Sequence, residues 1–238
     1  MNLNYIKPDE WKIVEEGFDK ENVTASESLF SLGNGAMGQR ANFEESYSGE
    51  TFQGSYIGGI YYPDKTRVGW WKNGYPEYFA KVLNAPNWIG IDVKVNGQTL
   101  DLNHCKIIEF KRELDMKKGV LNRTFIAELE GGDTVRVSST RFLSMKYNEI
   151  GAIKYSITPI SFDGQVTFSP YIDAGIMNED ANYDEFFWEI LESKADENEA
   201  YILSKTLKTE FHVCTGMKIE MALNDFLIDV DKEVSRTE

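Results

Sequence analysis

Apolar and polar residues alternate along most of this 238-residue chain, and alternation with period two predicts strands. Ile89, Ile91, Val93 and Val95 share one parity, and Asn96-Gly97 directly after them is the strongest short hairpin signal a sequence carries. Leu100 and Leu102 then open the returning strand. Leu121, Arg123, Phe125, Ala127 and Leu129 line a second face until Gly131-Gly132-Asp133 turns the chain. Segments 134–142, 149–158 and 165–171 repeat the pattern at sandwich-like spacing. Residues 107–110 form a shorter strand, and the charged run 112–119 reads as a connection. Near the start, Trp11, Ile13 and Val14 suggest an edge strand, with 15–19 as the turn out of it. Segment 51–62, rich in Gly, Tyr and Ile, reads as strand with bends that Pro63 ends. Tyr183, Phe186, Phe187, Ile190 and Leu191 recur at three- and four-residue steps, so 182–194 is either an amphipathic helix or a bulged strand. Segments 201–207 and 211–228 close the pattern. The expected architecture is all-β: a large two-sheet antiparallel sandwich over residues 1–228, with 229–238 a charged tail or the start of a linker.

Composition narrows the function more than the fold. Thirty-nine acidic residues against 25 basic ones give a formal charge of −14, with no basic run to track a phosphate backbone, so nucleic acid is not an expected partner. No apolar run approaches the ~18 residues of a membrane helix, and the first ten residues lack the basic-then-apolar order of a secretory signal. With two cysteines, too few for a disulfide framework, the expected location is cytoplasmic.

Several residue groups invite a chemical reading. Gly33, Gly35 and Gly38 spell G-x-G-x-x-G, but a dinucleotide site also needs a helix opening at the third glycine and a second parallel strand. No helical stripe follows here, so the glycines read as bend or bulge positions in a sheet, with Leu29, Phe30 and Leu32 as a strand before them. His104, Cys105, His212 and Cys214 would supply four N/S ligands, yet adjacent strand residues point to opposite faces; buried structural cysteines and surface histidines fit better. Glu15-Glu16 and Glu44-Glu45 resemble acid–base pairs, but neighbouring carboxylates on a strand diverge, whereas glycoside chemistry needs two converging from different segments. They read as solvated charge. The segment 68–88 is the most unusual in composition, setting Trp70, Trp71, Tyr75 and Trp88 among the turn formers Asn73, Gly74, Pro76, Asn84, Pro86 and Asn87. Trp70, Trp71, Asn73, Tyr75, Asn84 and Trp88 are therefore candidates for contact with carbohydrate or with another domain.

The stretch SLGNGAMGQRANFEE from Ser31 to Glu45 resembles the opening signature of the N-terminal domain of glycoside hydrolase family 65, the family of maltose, kojibiose and trehalose phosphorylases. The likeness continues through Tyr61 to Gly74, Val82 to Trp88, Arg112 to Leu121 and Arg141 to Ser144, and covers roughly residues 11–223. The run from Asp64 to Gly74 looks most like the maltose branch. Ala36 and Ala41 depart from the family, where an aromatic residue and a glycine often stand. The resemblance implies a β-sandwich followed in the full enzyme by an (α/α)6 barrel that holds the reaction. There a glutamic acid protonates the glycosidic oxygen while inorganic phosphate attacks the anomeric carbon with inversion. It implies no cofactor, phosphate being a co-substrate, and as partners the enzyme's own barrel, a second copy in a homodimer and an α-glucosyl disaccharide. No catalytic residue is assigned to this chain, which ends before any barrel segment and is expected to be inactive alone. Three rival readings are the same domain in an α-glucoside hydrolase, a carbohydrate-binding module that stacks sugars on Trp70, Trp71 and Tyr75, and a purely structural interaction domain that self-associates without binding a ligand.

Overall fold

A computed structural model describes residues 5–67, 74–179, 185–229 and 232–235. Strands β1 (Ile6–Pro8) and β2 (Lys12–Glu16) lead into a 3-10 turn at Lys20–Asn22 and a helix, α1 (Val23–Leu29). The hairpin β3 (Leu32–Gly33) and β4 (Met37–Gln39) follows, then β5 (Ser55–Ile57), β6 (Tyr61–Lys65) and β7 (Tyr78–Val82). Next come β8 (Ile91–Val95), β9 (Gln98–Thr99), and the long strands β10 (Lys106–Asp115), β11 (Val120–Glu128), β12 (Thr134–Leu143) and β13 (Gly151–Pro159). The chain finishes through β14 (Val166–Pro170), β15 (Trp188–Ala195), β16 (Glu199–Thr206), β17 (His212–Lys218), β18 (Ala222–Leu223) and β19 (Phe226–Leu227).

Two compact units share these strands. The first comprises residues 1–58 and 89–169, the second 59–88 and 170–238. In the first unit a six-stranded antiparallel sheet, β1-β2-β10-β11-β12-β13, faces the smaller sheet β14-β8-β9. Val93 and Val95 from the small sheet, with Leu100 and Leu102 just after it, meet Phe110, Phe125, Ala127, Val135 and Val137 from the large one, all buried. This is the sandwich that alternation predicts: one face of each sheet is apolar and can leave water only against the other. The hairpin at Asn96-Gly97 forms as expected, with both residues at positive φ (49° and 81°) as a type I′ turn requires.

The second unit holds the antiparallel sheet β15-β16-β17, the hairpin β6-β7 and the small hairpin β18-β19. Tyr62 and Phe187 pack as tilted rings 4.2 Å apart between centroids, and Leu83, Trp188 and Val213 of the same unit are also buried.

Four local expectations change. Residues 23–29 form a helix, so Leu29 is helical rather than in a strand, and β2 is not an edge because β1 pairs outside it. Residues 112–115 belong to β10, and only 116–119 turn, because Arg112 and Leu114 alternate inward with Phe110. Pro63 does not end β6: the two-stranded hairpin leaves one side of the strand unpaired, where a missing N–H is tolerated. Of the two readings for 182–194 the bulged strand is found, with a register shift between Ile190 and Glu192; residues 182–184 lie outside the described residues.

Candidate functional site

The inward face of the six-stranded sheet carries a charged row across its apolar surface. Register aligns Glu15 of β2 with Arg112 of β10, Arg112 with Arg123 of β11, Arg123 with Ser139 of β12, and Ser139 with Tyr155 of β13. One row along, Leu121 faces Arg141. Arg112, Arg123 and Arg141 are all buried, Arg112 and Arg141 to 1% exposure. Buried guanidinium groups need counter-charges and acceptors, and the chain supplies them from the segment after β4.

That segment bends at Glu44 and Glu45, and both carboxylates point at the same guanidinium. Arg123 donates to Glu44 at 2.5 Å and to both oxygens of Glu45, one of them at 2.6 Å. Arg141 forks onto Glu44 at 2.9 and 2.5 Å and also donates to the carbonyls of Asn42 (2.7 Å) and Arg40 (3.2 Å). The Tyr155 hydroxyl donates to Glu45 at 3.1 Å. The Phe43 ring serves both cations of the cross-strand pair, its centroid 5.0 Å from the Arg112 guanidinium and 4.8 Å from that of Arg123. Cation–π attraction to that ring offsets part of the repulsion between the two like charges. Glu15 stands 3.2 Å from Arg112 and accepts from Ser26 of α1 at 2.9 Å.

Glu44 and Glu45 are therefore not solvated charge, since each is at most 3% exposed. Divergence of neighbouring side chains holds on a strand, and these two sit on a bend. Glu16 is exposed as expected, whereas Glu15 is buried. Burial alone would raise the Glu44 carboxyl, but the Arg141 and Arg123 guanidinium groups outweigh it and bring it down to about 2. At neutral pH Glu44 has no proton to give. Burial, and then the Glu45 charge, push the Tyr155 phenol well above its usual range. Burial also raises Glu15, against the pull of Arg112. The cluster is closed and charge-matched, so it holds the segment to the sheet rather than transferring protons.

A second clamp fixes the opposite side of the same segment. Glu27 of α1, itself buried, accepts from Thr51 and from the backbone N–H of Phe52 at 2.8 Å. Asn34, in the tip of the β3-β4 hairpin, accepts the N–H groups of Ala36 and Met37 and donates to the carbonyls of Ser144 and Asn148 at 2.9 and 3.0 Å. Gly35 beside it has φ of +89°. The glycines thus sit in sheet turns, as expected; helix α1 precedes them, and β4 after them pairs antiparallel with β3.

The aromatic candidates belong to the second unit. Trp70, Trp71 and Asn73 lie outside the described residues. Tyr75 is 51% exposed with its ring 6.3 Å from Phe79, edge to face, and Tyr78 and Phe79 are also open. Asn84 is buried: its N–H donates to Asn178 at 2.8 Å and its carbonyl accepts from the Trp188 indole at 2.8 Å. Trp88 is half-buried. So the structure gathers Tyr75 with Tyr78 and Phe79 on and beside the β6-β7 hairpin and sets Asn84 in the interior. Among the described residues no three His, Cys, Asp or Glu side chains are placed to hold a metal ion. Cys105 is half-buried, its thiol pushed up by burial, while Cys214 is exposed rather than buried.

Sequence reasoning missed the arginine cluster, though a signal for it existed. Arg123 stands at an apolar parity between Leu121 and Phe125, and a cation in a buried stripe demands carboxylates. Glu44-Glu45 was the pair available to meet that demand.

Sandwich, glycine-rich hairpin and aromatic hairpin together have a counterpart in known proteins. The profile of "Glycosyl hydrolase family 65, N-terminal domain" matches residues 13–237, and the chain belongs to this family. It is 46% identical over 211 residues to maltose phosphorylase of Bacillus subtilis (strain 168), covering 89% of this chain and 28% of that protein. To kojibiose phosphorylase of Thermoanaerobacter brockii it is 31% identical over 224 residues, covering 92% and 27%. A solved structure, "Putative kojibiose phosphorylase from human microbiome", superposes with a TM-score of 0.80 at 27% identity, over 96% of this chain and 29% of that one. The chain thus spans less than a third of the length of these relatives.

Proposed function

We propose that this chain is the non-catalytic β domain of an inverting disaccharide phosphorylase acting on maltose. The observation that carries the reading is the gap between 46% identity to a maltose phosphorylase and 27–33% to kojibiose and trehalose phosphorylases. In the full enzyme, a phosphate oxygen would bond to the anomeric carbon as the glycosidic C–O bond breaks, and a carboxylic acid elsewhere in the polypeptide would protonate the departing glucose. The products are glucose and β-glucose 1-phosphate, with phosphate as co-substrate and no cofactor. The closed arginine–glutamate cluster fits this role, since it makes a rigid support and offers no acid or base. Supporting the catalytic barrel and the homodimer, in the cytoplasm and away from membranes and nucleic acid, completes the proposal.

The test is an assay of the complete polypeptide with maltose, kojibiose and trehalose, each with and without phosphate. Phosphate-dependent release of β-glucose 1-phosphate from maltose alone is the expected result. Phosphate-independent glucose release would make the parent a hydrolase instead, and preference for another disaccharide would overturn the substrate assignment.

A second reading has its own observation, the exposed rings of Tyr78 and Phe79 at the start of β7 and of Tyr75 just before it. Such a platform can stack a sugar ring. Calorimetric titration of this chain with maltose, with Tyr75→Ala as control, distinguishes a sugar-binding hairpin from a purely supporting one.

A further inference from the structure

The six-stranded sheet ends differently on its two sides. One edge is β1, three residues long, with Pro8 withholding a donor and Lys7 paired to Glu16. Short length, proline and charge are the usual means of keeping an edge from pairing with another chain. The other edge is β13, nine residues long, with one charge, Lys154, and its proline in last place. One side of β13 pairs with β12 along its whole length, and among the described residues no strand pairs with the other side. The backbone N–H and C=O groups on that side are a template for a further strand.

The core is also incomplete there. Across the β12-β13 pair, Ile153, Tyr155 and Ile157 face Arg141, Ser139 and Val137. The β12 residues are at most 3% exposed, whereas their β13 partners are only partly buried. Facing β13 is β14, the outer strand of the small sheet, whose Phe168 ring meets Tyr155 edge to face at 6.3 Å; Val166 and Phe168 are partly buried too. Ile150 and Ile160, at the two ends of β13, are 51% and 49% exposed. Charge is scarce on this flank. Of the 20 residues from Ile150 to Ser169 only Lys154 and Asp163 are charged, and they cancel, whereas 27% of the whole chain is charged and its net charge is −14. Two copies repel one another over most of their surface, and this flank is where they approach at least cost.

We propose that β13 pairs antiparallel with β13 of a second copy about a two-fold axis at Tyr155, making one sheet continuous across the two chains. This inference deepens the homodimer of the proposed function, rests on that reading, and names its surface. The occupant follows from the strand's own sequence. With the axis at Tyr155 all nine residues find partners: Ile153 meets the partner's Ile157, Lys154 the partner's Ser156, and Gly151 the partner's Pro159, where the missing N–H falls at the end of the ladder. Moving the axis to Lys154 would set lysine against lysine. The partly buried Ile153, Tyr155 and Ile157 side chains then form one row shared by both copies and leave water.

The experiment is sedimentation of the complete polypeptide at neutral pH over a range of concentrations, with Ser156→Lys and Ser156→Glu beside the unsubstituted protein. Ser156 lies on the outward face of β13, so neither change touches the core. Lysine at 156 faces the partner's Lys154 twice per dimer and should weaken the dimer by about tenfold, and glutamate should tighten it by about the same factor. Total charge works the other way: lysine makes the chain less negative and glutamate more so, and a non-specific effect would reverse the order. In hydrogen exchange, the amides of residues 151–158 should exchange more slowly as concentration rises. A dimer indifferent to both substitutions, or one strengthened by lysine, would overturn the pairing and leave the function reading intact. A monomer at every concentration would overturn the homodimer with it, while release of β-glucose 1-phosphate from maltose by the same samples tests the rest of the function separately.

Discussion

Arg123 holds two carboxylates and lies over two aromatic rings, so its loss exposes what the cluster contributes. Removing one member of a buried ion pair strands its partner in a medium of low dielectric, which costs about 3–5 kcal/mol. Arg123→Met should therefore destabilise the first unit by about that amount in urea denaturation, because Glu45 keeps only the Tyr155 hydroxyl. A loss under about 1 kcal/mol would mean that water reaches the cluster. Tyr155→Phe removes one hydrogen bond to a charged acceptor and should cost about 1.5–3 kcal/mol. Acid acts on the same residues. The folded-state pKa of Glu44, about 2, lies below its ordinary 4.5, so its stabilisation is complete above pH 4.5 and is lost as pH falls toward 2. Glu15 works in the opposite sense, because burial raises it and its protonation relieves a penalty. Glu44→Gln should lower stability at neutral pH and flatten the descent below pH 4.5, read by thermal melts across that window.

Among the elements, the β3-β4 hairpin joins the sequence signature to the body of the fold. The Asn34 side chain uses both its acceptor and its donor: two N–H groups enter it from the tip, and two carbonyls of the β12-β13 connection receive from it. Asn34→Ala leaves those groups to water or unpaired, at about 2–4 kcal/mol for the set. Amide exchange at Ala36, Met37 and residues 144–148 should accelerate together in that variant. Acceleration confined to the hairpin would separate the two elements. Gly35→Ala, at φ of +89°, strains the same turn and should cost about 1 kcal/mol or more.

For the molecule as a whole, charge sets its behaviour in solution. At −14 the chain repels its own copies, and near its isoelectric point of about 4.7 that repulsion vanishes. Light scattering should show self-association rising toward that pH and receding on the acid side until unfolding begins, with Leu223, Phe226 and Leu227 of the small terminal hairpin among the exposed apolar residues available to it. Scattering that instead keeps growing as pH falls from 4.5 toward 2 would tie association to loss of the buried cluster.

Alternation by itself determined the strands, the Asn96-Gly97 hairpin and the all-β class, since a pleated strand must put successive side chains on opposite faces and only one face can leave water. The motif run from Ser31 to Glu45 likewise carried the family. Local pattern misassigned residues 112–115, because a charge such as Arg112 in a strand reads as exposed until a partner is known. The partners lie far off in sequence: Glu44 is 79 residues from Arg123 and 97 from Arg141. Only tertiary structure decided that a bend at 44–45 turns two adjacent carboxylates to the same side, and that register stacks Glu15, Arg112, Arg123, Ser139 and Tyr155 into one row. Those are long-range Coulombic and packing choices, and no window along the chain contains both halves of the bargain.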